Sequence, residues 1–147
     1  MKIIFSDIDG VLNSAYYTAR DGGGISAIEE RKVKNLKKLL DDTSAQLVIC
    51  SRANSLLGKD FNNARINQIK EHGVTPLDSI MDIEFQESKS NAINRWLRNH
   101  PEVTNFVVFD DCASDLEQQF GKQFIHIKGR HGLTKQYIEQ ALKMLVR

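Results

Sequence analysis

Near the start of the chain two aspartates stand two residues apart, Asp7 and Asp9, followed at once by Gly10. If the backbone stays extended there, side chains two apart point the same way, so both carboxylates enter one site. Gly10 then lets the chain turn sharply. A second acidic pair, Asp110-Asp111, closes the apolar run that ends at Phe109. Carboxylates gathered in one place repel one another unless a cation sits among them. Magnesium suits such a cluster, because it takes few carboxylates, keeps several waters and accepts phosphate oxygens for its remaining positions. Ser51, just after Leu47 to Cys50, offers a hydroxyl donor, and Lys89, at the start of a helical pattern, offers a positive charge. Both are of the type that stabilises the non-bridging oxygens of a transferring phosphoryl group.

For these residues to meet, the elements that carry them must end on one edge. Ile3 to Phe5, Gln46 to Cys50, Asn105 to Phe109 and Gln123 to Ile127 read as buried strands, with a weaker fifth near Ser79 to Ile83. Helical patterns alternate with them. Ser26 and Glu29 form a capping box ahead of Val33, Leu36 and Leu40, and the helix runs to about Asp41. A second helix covers Asn63 to Glu71 and stops at Gly73. A third starts near Ser88 or Ser90, buries Ala92, Ile93, Trp96 and Leu97, and ends before Pro101. The last starts at Thr134, with Tyr137, Ile138, Ala141, Leu142 and Leu145 on one face. Strand and helix in alternation predict an α/β fold: a three-layer Rossmann-like arrangement, a mainly parallel central sheet with helices on both faces. In such sheets ligands bind beyond the carboxyl ends of the strands, where Asp7, Asp9, Ser51, Arg52, Asp110, Asp111, Lys128 and Arg130 fall.

The 147 residues, 41% hydrophobic and 27% charged, suit one soluble domain spanning the whole chain, 1–147, and leave no room for a large cap domain. A net charge of +1 predicts no broad attraction to nucleic acid or anionic membranes, so any basic site must be local. The longest apolar stretch is too short to cross a bilayer, and the opening residues lack the pattern of a secretory signal, so a cytoplasmic location is expected. Cys50 and Cys112 are too few for a disulfide framework and read as reduced thiols. The basic run Arg31, Lys32, Lys34, Lys37 and Lys38 reads as the exposed side of an amphipathic helix. Asn13 to Gly24, ending in Gly22-Gly23-Gly24, is a candidate flap on which Tyr16, Tyr17 and Arg20 could touch a substrate.

Type and order together resemble the four motifs of the haloacid dehalogenase superfamily. Asp7-Ile8-Asp9-Gly10-Val11 is similar to its first motif, Ser51 to its second, Lys89 to its third and Asp110-Asp111 to its fourth. The closer resemblance is to the small capless branch found in Swiss-army-knife RNA repair proteins, which Leu12-Asn13 also matches. It implies a magnesium-dependent phosphatase in which Asp7 attacks phosphorus to form an aspartyl phosphate and Asp9 protonates the leaving oxygen, then activates water. The Asp7 carboxylate, the Asp9 backbone carbonyl and Asp110 would hold Mg2+, with Asp111 a second or indirect ligand. Gly10, Ser51, Arg52, Lys89 and Arg130 would face the substrate. Ser51-Arg52-Ala53-Asn54 departs from the branch, lacking the second serine and the tryptophan that often follow its second motif.

Other readings are open. Ser51 alone would be a turn residue, Lys70 rivals Lys89, and Asp110 and Asp111 could cap a short helix near Ser114. A receiver domain uses similar residues, but its acidic pair comes first and the phosphorylated aspartate later. The remaining alternative is a catalytically weak binding or regulatory module, against which the presence of both Asp7 and Asp9 argues. For substrate, the resemblance points to phosphorylated nucleic-acid ends, a 3′-phosphate among them, or nucleotides.

Overall fold

The computed structural model describes residues 1–14, 28–51, 58–81, 87–113 and 115–146, with residues 58–60 described as backbone only. Five short strands form: β1 (Lys2–Ser6), β2 (Gln46–Cys50), β3 (Asp78–Ile80), β4 (Asn105–Asp110) and β5 (Phe124–His126). Between and after them lie the helices α1 (Glu30–Thr43), α2 (Gly58–Glu71), α3 (Lys89–Arg98), α4 (Leu116–Phe120) and α5 (Lys135–Leu145), with a 3-10 turn over Gly121–Gln123. All strand pairings are parallel, in the order β3-β2-β1-β4-β5. The chain therefore moves outward from β1 to β3 and returns to the other side of β1 at β4. Connections leave in opposite directions at that point, which opens a crevice beyond the carboxyl ends of β1 and β4.

Successive residues of a strand face opposite sides of the sheet, and here both sides are apolar. Ile3 and Phe5 join Val48, Cys50 and Val108 in a core with Ala92, Ile93 and Trp96 of α3 and with Leu116 and Phe120 of α4. Ile4 joins Leu47, Ile49, Val107 and Phe109 in the other, with Val33, Leu36 and Leu39 of α1, Ile69 of α2 and Ala141 and Leu145 of α5. This is the expected Rossmann-like, three-layer α/β fold, and among the described residues no cap stands over it. Trp96 locks α3 in place: its ring meets Phe5 edge-on at 5.4 Å, and its Nε1 donates to Asp78 Oδ2 at 2.8 Å.

Several boundaries differ from expectation. The first helix begins at Glu30, and Glu29 is its N-cap with an extended backbone (φ −85°, ψ 111°) and no capping bond from its side chain. A residue so placed cannot be the third helical residue that a capping box from Ser26 requires, and Ser26 lies outside the described residues. Glu29 instead faces Lys32 at 3.7 Å. Lys32 corrects the reading of a wholly exposed basic run, being only 8% exposed. Burial pulls its ammonium below the usual lysine range, opposed by Glu29, and its Nζ donates to the Leu133 carbonyl at 3.4 Å. Lys34, Lys37 and Lys38 do lie at the surface, paired with Glu30, Asp41 and Asp42. The second helix starts at Gly58, earlier than Asn63, and β5 is shorter than Gln123 to Ile127 because Gln123 closes the 3-10 turn. The weak strand is Asp78–Ile80, and residues 82–86 lie outside the described residues.

Candidate active site

Hydrogen bonds carry the sheet slightly past its strand ends. Asp7 N donates to the Phe109 carbonyl at 3.0 Å, Ser51 N to Ile80 at 3.2 Å and Ile127 N to Asp110 at 2.9 Å. The backbone of Asp7 is thus anchored between β1 and β4, where the crevice opens. Beyond it the extended backbone assumed from the Asp7-Asp9 spacing stops. Val11 N and Leu12 N both donate to the Ile8 carbonyl, and Gly10 takes a φ of +77° that favours glycine. Asp9 therefore sits in a turn, yet it lines the same cleft as Asp7.

That cleft, about 310 Å³, is bounded by Asp7, Asp9, Ser51, Lys89, Asp110, Cys112, Asp115 and Leu116. At its floor Lys89 Nζ lies 2.7 Å from Asp110 Oδ2 and 3.1 Å from Asp7 Oδ2. Lys89 is the first residue of α3, whose N-terminus is set by Ser88, the side chain of which accepts from Asn91 N at 3.2 Å. The other oxygens are also held: Asp7 Oδ1 by Ile8 N at 2.8 Å, and Asp110 Oδ1 by Cys112 N at 2.9 Å. Asp7 and Asp110 are 7% and 2% exposed. Burial pushes the Asp7 carboxyl up to about 7, with Lys89 opposing and Asp110 adding to the rise. Asp111 is raised too, by burial and by Asp110. Although burial works against the Lys89 ammonium, Asp7 and Asp110 outweigh it and hold that proton more firmly than in a free lysine.

Carboxylate oxygens of Asp7, Asp110 and Asp111 all lie within 4.8 Å of one another. Three acids facing one ammonium leave an excess of negative charge in a buried place. A hard divalent cation fits this all-oxygen donor set. Two glycines make room for its third member. A Cβ on Gly10 would overlap the Asp111 carboxylate, and one on Gly129, in the loop after β5, would lie 3.0 Å from Asp111 Oδ2.

Asp9 is held quite differently. Its carboxylate accepts two bonds from Arg65 of α2, Nη2 to Oδ1 at 2.6 Å and Nη1 to Oδ2 at 3.1 Å, and a third from Asn13 Nδ2 to Oδ1 at 3.2 Å. Asn13 Oδ1 in turn accepts from Gly10 N at 2.9 Å.

A family model described as the HAD domain in Swiss Army Knife RNA repair proteins matches residues 3–138. The chain belongs to this family. The matched span runs from β1 into α5, so it includes every side chain of the cleft, and the family points to phosphatase-type hydrolase chemistry. A comparison with curated proteins finds none that matches.

In this HAD domain the sequence candidates fall into three groups. Asp7, Lys89, Asp110 and Asp111 converge, and Asp9 and Ser51 share their cleft. Gly10 stands behind Asp111. Arg130 is exposed and is not among the residues that bound the cleft, while Arg52 and the flap residues Tyr16, Tyr17 and Arg20 lie outside the described residues. Lys70, the rival to Lys89, is exposed near the end of α2. His126 ends β5 with an exposed ring whose Nε2 meets the Asp111 carbonyl at 3.0 Å. Sequence reasoning missed Arg65. Its trace was a charged residue among Asn62, Arg65 and Ile69, the inward-facing stripe of α2, where no apolar pattern announced that face.

Proposed function

We propose that this HAD domain is a phosphomonoester hydrolase that works through an aspartyl phosphate on Asp7. The observation that most supports the reading is the placement of Asp7: a buried carboxylate at the crevice between β1 and β4, linked to Asp110 through one lysine. In the first half-reaction an Asp7 oxygen bonds to phosphorus as the ester P–O bond breaks, and Asp9 gives its proton to the leaving oxygen. In the second, water attacks the phosphoryl group, Asp9 takes the water's proton, and Asp7 leaves as a carboxylate. Lys89 and Ser51 donate toward the phosphoryl oxygens. The carboxylates of Asp7, Asp110 and Asp111, with the Asp9 backbone carbonyl, would hold Mg2+. Bound there, the ion supplies positive charge that lets an anionic phosphate approach an anionic nucleophile.

The family's description names RNA repair proteins, and phosphorylated nucleic-acid ends or nucleotides are accordingly the proposed substrates. The test is turnover of an aryl phosphate with Mg2+, compared between the native chain and Asp7→Asn. Turnover that Asp7→Asn abolishes is expected. Absence of any Asp7-dependent turnover would favour a binding or regulatory module instead. A panel of 3′- and 5′-phosphorylated oligonucleotides, free nucleotides and sugar phosphates then separates substrate classes, and equally poor rates on all oligonucleotides would remove nucleic-acid ends from consideration.

A further inference from the structure

Arg65 and Asp9 form an unequal pair. The arginine side chain is 4% exposed and the aspartate side chain 55% exposed, so the cation is set in the protein body while the carboxylate stands at the cleft. An ion pair that served only to tie α2 to the β1 loop would have no need to present one partner to the cleft. The guanidinium is fixed in its plane as well. Its Cζ lies 5.1 Å from the centre of the Phe61 ring, one helical turn earlier, and both terminal nitrogens are committed to Asp9. Arginine keeps its charge at any working pH and offers a rigid fork that matches a carboxylate, which a flexible lysine does not.

The fork treats the two Asp9 oxygens differently. Oδ1 is doubly held, by Arg65 Nη2 at 2.6 Å and Asn13 Nδ2 at 3.2 Å. Among the described residues Oδ2 has a single and longer bond, 3.1 Å to Arg65 Nη1. We propose that Arg65, assisted by Asn13, is a positioning residue that pins Asp9 through Oδ1 and leaves Oδ2 as the oxygen that passes the proton to and from the reacting group. The inference rests on the phosphatase reading above. In the first half-reaction the proton on Asp9 moves to the ester oxygen as its bond to phosphorus breaks. In the second, the proton of the attacking water moves to Asp9 as the bond from phosphorus to Asp7 breaks.

The test compares the full chain with Arg65→Ala and Arg65→Lys, with Mg2+, on two esters: an alkyl phosphate, whose leaving oxygen must be protonated, and 2,4-dinitrophenyl phosphate, whose leaving group departs without it. Misplacing Asp9 is expected to lower kcat on the alkyl ester by about 100-fold or more, the size of a general acid–base contribution, with KM little changed. On the dinitrophenyl ester the first turnover should be nearly unchanged and the second step slow. A burst of one dinitrophenolate per chain and a trapped phosphoryl group on Asp7 would then appear. Arg65→Lys keeps a charge but not the fork, and should show the same split to a smaller degree. It also secures the comparison if the alanine variant fails to fold. Equal losses in the first, pre-steady-state step on both esters, or no loss on either, in folded Arg65→Lys would overturn the positioning role while leaving the phosphatase reading intact. A native chain with no turnover that depends on Asp7 would overturn both.

Discussion

At the level of single residues, the acid that matters most is the one whose burial works against its charge. Burial shifts the Asp7 carboxyl from an ordinary 3.8 to about 7 in the folded chain, with Lys89 opposing and Asp110 assisting. The folded chain therefore binds this proton more tightly than the unfolded chain. That contribution is fully present below the unfolded value and is lost as pH rises through the folded one. Metal-free protein should lose a few kcal/mol of stability between about pH 4 and about pH 7, at ~1.4 kcal/mol per tenfold change in proton affinity. Urea unfolding in a chelator reads this directly, and Asp7→Asn should flatten most of the slope. A slope unchanged in Asp7→Asn would mean that some other group carries it. Gly10 gives a second prediction. With φ at +77° and the Asp111 carboxylate where a Cβ would stand, Gly10→Ala should weaken magnesium binding about tenfold or more. Gly129→Ala, with 3.0 Å to Asp111 Oδ2, should weaken it less. Magnesium titration by calorimetry ranks the two. The need for glycine at position 10 was visible from its place after Asp7-Ile8-Asp9, whereas that at 129 was not, because its reason is a side chain from a different loop.

At the level of elements, α1 separates what holds the fold from what decorates it. Its outer face carries three lysine–carboxylate pairs, Lys34–Glu30, Lys37–Asp41 and Lys38–Asp42, all at i,i+4 and all exposed. Such pairs are worth about 0.3–0.5 kcal/mol each. Its inner face buries Val33, Leu36 and Leu39 completely or nearly so. Leu36→Ala should cost roughly 2–5 kcal/mol through lost burial and the cavity left behind, and Lys38→Gln less than about 0.5 kcal/mol. Denaturant midpoints at fixed slope distinguish them, and comparable losses would mean that the surface pairs act as a network. The apolar spacing showed this face of α1 in advance. It misplaced Lys32, whose long stem lies inside while its charge reaches Glu29 and the Leu133 carbonyl, a position that lysine's polarity disguises.

At the level of the whole molecule, the cleft draws on elements far apart in sequence: the ends of β1, β2 and β4 and the start of α3. A ligand bound there staples them together. Mg2+ at a hundred times its Kd should stabilise the fold by about 2.7 kcal/mol, and Asp110→Asn should remove most of that gain. Thermal unfolding across a magnesium series checks it, and equal stabilisation of both proteins would place the ion elsewhere. The sequence alone determined the layered α/β fold, because strands apolar on both faces can only be buried between helices, and it determined the order of Asp7, Ser51, Lys89 and Asp110-Asp111 at element ends. Tertiary structure decided which partners those residues meet. Lys89 rather than Lys70 reaches Asp7 and Asp110 because Lys89 opens α3 at the crevice, whereas Lys70 lies in the last turn of α2. Asp9 turns to an arginine 56 residues away, which local pattern cannot reveal, since a buried charge on a helix acquires its meaning only from the group folding brings against it.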